Sequence, residues 1–244
     1  MEMKQVLEAL KKGNKSSALA MTGNMFIAVT EFIAGVLSGS GAMFAAAMHS
    51  LGDAVNQGFI FMGSVLSQKK PSKRFPNGFE SLNHIFSIIA ALVVLTMAFE
   101  TIHEGCHLIK HPSEPRSGLI MNVLILILNL VIDGFVLIKA MKEINQDARV
   151  TGKGFSLVIE SFKNVSKATP PTRFVFYEDL VSVTSALLAL IAVVITSSTN
   201  IHIVDGVFTV SIGLLMLGVS LRVAYDNIVE LIGSSPLMND QYHE

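Results

Sequence analysis

The stretch AMFAAAMHSLGDAVNQGFIFMGSVL, residues 42–66, decides the reading of this chain. It is long and apolar enough to cross a bilayer, which takes about 20 predominantly apolar residues, yet it carries His49 and Asp53. Ionisable groups at that depth are costly, and they face a partner, a water-filled cavity or an ion path. The four-residue step from His49 to Asp53 stacks both side chains on one helix face. An imidazole and a carboxylate held in this way make half of a tetrahedral divalent-metal site. A second acidic pair, Glu178-Asp179, interrupts another apolar run. The pattern points to a metal-ion path through a membrane.

The rest of the composition fits that reading. The 244 residues are 51% hydrophobic and 15% charged, with a mean hydropathy of +0.56, against about 25% charged residues in a soluble domain. The charges gather in short segments between long apolar runs, the signature of a polytopic membrane protein. A net charge of −1, with no basic stripe interleaved with aromatics, excludes nucleic acid as a partner. The single cysteine, Cys106, forms no internal disulfide. The N-terminal MEMKQVLEALKKGNKSS lacks an apolar signal core and reads as a short amphipathic lead-in. No phosphate-binding glycine loop is present, which argues against ATP hydrolysis.

The expected fold is an all-α membrane protein with six transmembrane helices at roughly 17–37, 42–66, 81–108, 118–141, 171–197 and 204–224. A polar segment, 1–16, precedes this domain, and a short tail, 225–244, follows it. Small residues Ser38-Gly39-Ser40-Gly41 turn the chain between the first two spans. Pro170 and Pro171 open the fifth. With six spans, all of the 18 Lys and Arg residues except Lys110 and Arg116 fall on the side that holds both termini. The excess of positive charge places that side, and both termini, in the cytoplasm.

Depth along the helices brings the acidic pairs together. Asp53 lies roughly 20 Å from the inner end of its span, and Asp179 roughly 12 Å from the inner face, so both fall in the middle third of the bilayer. His49, Asp53 and Asp179 then supply three ligands. Glu178 points about 100° away from Asp179 and is either a ligand, a supporting group or a proton carrier. Buried hydrogen-bonding glue between helices is the competing reading of such groups, but no Lys or Arg lies at that depth to neutralise the three acids. Glu31 shares a face with Asn24 and either lines the same cavity or packs against a neighbour. Asp133 either pairs with Lys139 or joins a proton path, and Asp205 caps its own helix.

His103-Glu104-Gly105-Cys106-His107 matches the zinc metalloprotease helix His-Glu-x-x-His, with Asp133 as the conceivable third ligand. Depth argues against this alternative. His103 lies about 7 Å from the outer end of its span and Asp133 about 22 Å deep. A gap of ~15 Å is too large for one ion with bonds of ~2 Å.

Further segments carry a resemblance. They are Glu31-x-x-x-Gly35 with Ser38-Gly39-Ser40, Ala47-Met48-His49-Ser50-Leu51-Gly52-Asp53, Phe75-Pro76-Asn77-Gly78-Phe79, Asp205-Gly206 and Glu230-Leu231-Ile232-Gly233. In this order the chain resembles the cation diffusion facilitator family of metal/proton antiporters over nearly its whole length. That family usually repeats His-x-x-x-Asp in its fifth span. Here Asp179 matches the Asp, but Val175 stands at the His position. Tyr177-Glu178-Asp179, together with Asp133-Gly134 and the segment Ala140-Met141-Lys142-Glu143-Ile144, is similar to the zinc-transporter-9-like branch, which carries Glu-Asp there.

The resemblance implies a secondary transporter rather than an enzyme. It would move a divalent cation out of the cytoplasm against inflowing protons, work as a homodimer in the lipid bilayer, and hold no resident cofactor. Zn2+ is the expected substrate. The missing second imidazole leaves Mn2+, Co2+ and Fe2+ open, because oxygen-rich sites suit such ions. Many members carry a cytoplasmic domain after the sixth span. Here only about 20 residues follow, so the chain is expected to be either a compact member without that domain or a truncated one. The rival classes are the intramembrane protease, a channel and a non-transporting membrane partner. The expected location is a bacterial inner membrane.

Overall fold

Residues 15–67, 82–112, 118–152, 154–168, 170–199 and 201–232 are described by a computed structural model. The Phe75–Phe79 motif, the polar segment before residue 15 and the tail after residue 232 lie outside them. Seven α-helices carry the described residues: α1 (Lys15–Ser38), α2 (Gly41–Ser67), α3 (Leu82–Lys110), α4 (Leu119–Asp147), α5 (Phe155–Asn164), α6 (Pro170–Ser198) and α7 (Ile203–Ile232). A 3-10 turn, Val165–Lys167, follows α5.

Five of these helices, α1, α3, α4, α6 and α7, are long and apolar enough to cross a membrane. The molecule is thus an all-α, multi-span membrane protein. α2 is equally long at 27 residues, but His49, Ser50, Asp53, Asn56, Gln57 and Ser64 lower its hydropathy. Its place in the bundle explains how it tolerates them. α2 packs against α1, α3, α6 and α7, and Ala42, Met43, Ala45, Ala46, Ala47, His49, Ser50, Ala54 and Asn56 are all buried. A helix enclosed by protein can hide its polar side chains from lipid. The outer helices do the reverse and expose large side chains such as Phe26, Phe99, Leu128 and Phe135.

Small residues set the spacing of the bundle. The core around α2 is built from Ala34, Ala42, Ala45, Ala46, Ala98, Ala189 and Ala192, filled in by Met43, Leu126, Ile212 and Met216. The α3–α7 pair is closer still. A Cβ at Gly105 would meet the Val210 backbone nitrogen at 2.7 Å, and one at Gly206 would meet the Gly105 carbonyl oxygen at 2.8 Å. Small residues that let two backbones approach in this way are the usual means of joining helices in lipid. The α1–α2 turn depends on Gly39, whose φ of 71° is left-handed and whose N–H donates to the Gly35 carbonyl at 2.8 Å. That is an αL helix stop, a conformation that costs glycine nothing.

A structural joint ties α7 to α2. The Asp205 carboxylate accepts from the backbone N–H of Gly41 at 2.6 Å, from that of Ala42 at 3.0 Å and from the Ser40 hydroxyl at 3.1 Å. Asp205 therefore does not cap its own helix, as the sequence suggested. It lies in the first turn of α7 and satisfies the free N–H groups at the start of α2. Two elements also run past their expected ends: α4 continues to Asp147 and α7 to Ile232.

Candidate metal site

α2 places His49, Asp53 and Asn56 on one face, at steps of four and three residues. α6 does the same with Glu178 and Ser182. Where the two faces meet, His49 Nε2 stands 3.0 Å from Ser182 Oγ and 3.6 Å from Asp53 Oδ2. The Ser182 hydroxyl donates to Asp53 Oδ2 at 3.3 Å. Asn56 Nδ2 donates to Glu178 Oε1 at 2.8 Å. His49, Asp53 and Asn56 from α2 and Glu178 from α6 border a small cavity of about 30 Å³, with largely apolar walls from α3 and α7. Among the described residues no Lys or Arg lines it.

The structure places the four expected site residues differently from one another. His49, Asp53 and Glu178 border the cavity, whereas Asp179 does not. Asp179 lies behind it, with a buried Oδ2 that has no hydrogen-bond partner among the described residues. Among the described residues, no three His, Cys, Asp or Glu side chains stand close enough together to hold one ion. Glu178 accepts from Asn56, and Ser182 occupies the space between His49 and Asp53.

Two groups at the site, Asn56 and Ser182, were not singled out from the sequence. Their signal was available: Asn56 is three residues beyond Asp53, and Ser182 is four beyond Glu178, each on the face of an acid already noted. Asp133 of α4 also belongs to this neighbourhood. It interacts with Ser182 and, electrostatically, with His49 and Asp179, and no ion pair joins it to Lys139 among the described residues. Glu31 is fully buried but packs outside the cavity. Ser50 Oγ donates to its Oε2 at 2.7 Å and Asn129 Nδ2 to its Oε1 at 2.9 Å, which links α1, α2 and α4.

The His-Glu-x-x-His segment has a different setting. His103 and His107 lie on the exposed side of α3 near its end, and the His107 and His111 rings are 5.2 Å apart. Gly105, at the centre of the motif, is the close-approach point to α7. Asp133, the third ligand a protease would need, faces Ser182 and His49 instead.

Residues 17–232 match the model of the cation efflux transmembrane domain. The chain is 31% identical over 207 residues to the human proton-coupled zinc antiporter SLC30A9, mitochondrial, covering 84% of this chain and 35% of that protein. It is 30% identical over 228 residues to the mouse protein of the same name, covering 93% and 39%. The Xenopus laevis protein is 30% identical over 206 residues, covering 84% and 36%. The chain thus spans well under half the length of these curated relatives. Their printed location also corrects the sequence-based placement in a bacterial inner membrane, because they are vertebrate mitochondrial proteins. Charge asymmetry orients a protein within a bilayer but does not say which bilayer.

Proposed function

This chain belongs to the cation efflux family, and on that premise we propose that it carries a divalent cation, zinc foremost, across a membrane in exchange for protons. The observation that carries the proposal is the meeting of His49, Asp53 and Glu178 on one cavity that, among the described residues, no Lys or Arg lines. α2 is the sixth span of the bundle, and both termini lie on the Lys- and Arg-rich side. The named activity of the relatives, proton-coupled zinc antiport, supports both the ion and the counter-ion. One imidazole among carboxylates is a donor set that suits zinc while leaving manganese, cobalt and iron(II) as competitors.

The chemistry of exchange follows from hydrogen-bond bookkeeping at Ser182. A serine hydroxyl has one proton to donate, and Ser182 Oγ stands 3.0 Å from His49 Nε2 and 3.3 Å from Asp53 Oδ2. When that proton goes to Asp53, His49 Nε2 carries a proton of its own and donates it to Ser182. A metal bound at Nε2 must displace that proton, because metal ligands bind through a free lone pair. Asn56 orients Glu178 through Oε1 and leaves the other lone pairs of that carboxylate for the ion. Asp179, with an oxygen that lacks a partner among the described residues, is the carboxylate placed to hold a proton while the site is empty of metal and to release it when the metal binds. Alternating access then exposes the site to each side in turn.

The test is zinc uptake into proteoliposomes whose lumen is more acidic than the bath. The native chain accumulates zinc while the gradient lasts, and Asp53→Ala and Glu178→Gln do not. Unchanged transport in both variants would overturn the site, and transport indifferent to the pH gradient would indicate a channel. The same assay with manganese, cobalt and iron(II) ranks the substrates.

A further inference from the structure

α5 carries two apolar faces, one packed on the protein core and one turned away from it. At about 100° per residue, Phe155, Ile159 and Phe162 fall within a narrow sector, and all three are exposed, Phe155 by 78%. The opposite face meets the protein. There Leu157 and Val158 pack against the cluster of Leu137, Ala140, Met141 and Ile144 from α4 with Phe176 from α6. The buried Ser161 hydroxyl lies 2.7 Å from the Leu157 carbonyl of its own helix, 3.1 Å from the Met141 carbonyl of α4 and 3.3 Å from Asn145 Oδ1, and Asn164 is buried beside it. The helix is thus seated on α4 by one face and leaves its aromatic and aliphatic ridge exposed.

Its level along the bundle says what meets that ridge. α4 starts at Leu119 and rises about 1.5 Å per residue, so a hydrocarbon layer of ~30 Å is used up near Lys139. α5 is attached just beyond, at Met141 and Asn145, where the headgroup layer begins. Phe162 packs edge-on against Phe176 near the start of α6, with ring centroids 5.2 Å apart. Exposed Lys142, Arg149, Lys163 and Lys167 surround the helix, matching the anionic headgroups that attract basic segments.

We propose that α5 is an interfacial helix, its Phe155–Ile159–Phe162 ridge inserted at the boundary of headgroups and acyl chains on the Lys- and Arg-rich side of the membrane. An amphipathic helix in this position buries its apolar face to a depth of about 5–10 Å. It fixes the inner ends of α4 and α6, the two helices that bring Asp133, Glu178 and Asp179 to the site.

The chain contains no tryptophan, so one introduced indole reports from one place. Phe155→Trp and Ile159→Trp, each in the full chain, are reconstituted into anionic phospholipid vesicles brominated either high or low on the acyl chain. Phe135→Trp, on the exposed middle of α4, verifies insertion through quenching by the low bromine. Both α5 indoles are expected to lose roughly half their emission to the high bromine and little to the low one, as a shallow interfacial depth requires. Indoles unquenched by either bromine but quenched by aqueous iodide would overturn the proposal, because the ridge would then face water. Indoles shielded from bromine and iodide alike would also overturn it, because a protein surface would cover the ridge.

Discussion

Ser182 shows how much of the site rests on a residue that binds nothing by charge. Its hydroxyl reaches both His49 and Asp53 across the α2–α6 contact, so it orients the imidazole. Groups that orient metal ligands in this way typically contribute 10–100-fold in affinity. Ser182→Ala is therefore expected to weaken zinc binding about tenfold in a competition titration, with Ser182→Thr restoring most of it. Equal losses in both variants would reduce Ser182 to a packing residue. Glu178 and Asp179 divide differently. Glu178→Gln should weaken zinc binding by about tenfold or more, whereas Asp179→Asn should bind within a few-fold of the native chain while losing proton-driven uptake. The spacing of His49 and Asp53 was legible in the sequence because a four-residue step has one meaning on a helix. The choice between Glu178 and Asp179 was not. The wheel separates neighbouring residues by about 100° but does not say which of them faces the cavity. That is decided by how α6 rolls against α2 and α4.

Among the elements, the Asp205 joint between α7 and α2 bears on stability more than on chemistry. A side chain that satisfies N–H groups at a helix start contributes about 1 kcal/mol. Asp205→Ala should lower the unfolding free energy in detergent by about 1–2 kcal/mol, measured by denaturant titration. Asp205→Asn, which keeps an acceptor, should recover part of the loss, and a null effect in both would mean that water satisfies Gly41 and Ala42 equally well. The sequence suggested a cap at Asp205 but assigned it to the wrong helix, since local spacing cannot reveal a partner over 160 residues away. α5 escaped notice for another reason. The i, i+4, i+7 pattern of Phe155, Ile159 and Phe162 is present, but it is too short for a span and sits among charges, so it reads as part of a loop. Gly105, read first as a spacer inside a zinc motif, has its meaning in the α3–α7 approach, which becomes visible only with both helices in place.

For the whole molecule, the question is parity. Five helices cross a membrane on length and composition alone, and an odd number would put the two ends of the chain on opposite sides. On the proposed topology α2 raises that count to six. Its His49, Ser50 and Asn56 are buried among the packed helices α1, α3, α6 and α7, so low hydropathy is no bar to its spanning, because a helix that meets little lipid need not be lipophilic. The charge pattern argues the same way. With α2 as a span, Lys110 and Arg116 stand alone on one side and every other Lys and Arg falls on the other, as the positive-inside bias requires. The prediction concerns the ends. Epitope tags placed before Met1 and after Glu244, in sealed vesicles of uniform orientation, are expected to be removed together by external protease or protected together. A cysteine introduced as Ser156→Cys in a Cys106→Ser background should react with an impermeant maleimide from the same side as the tags, and His111→Cys from the opposite side. One tag cleaved while the other is protected would leave α2 outside the count. The metal site would then open to one side of the membrane only, and alternating access through the α2–α6 contact could not operate.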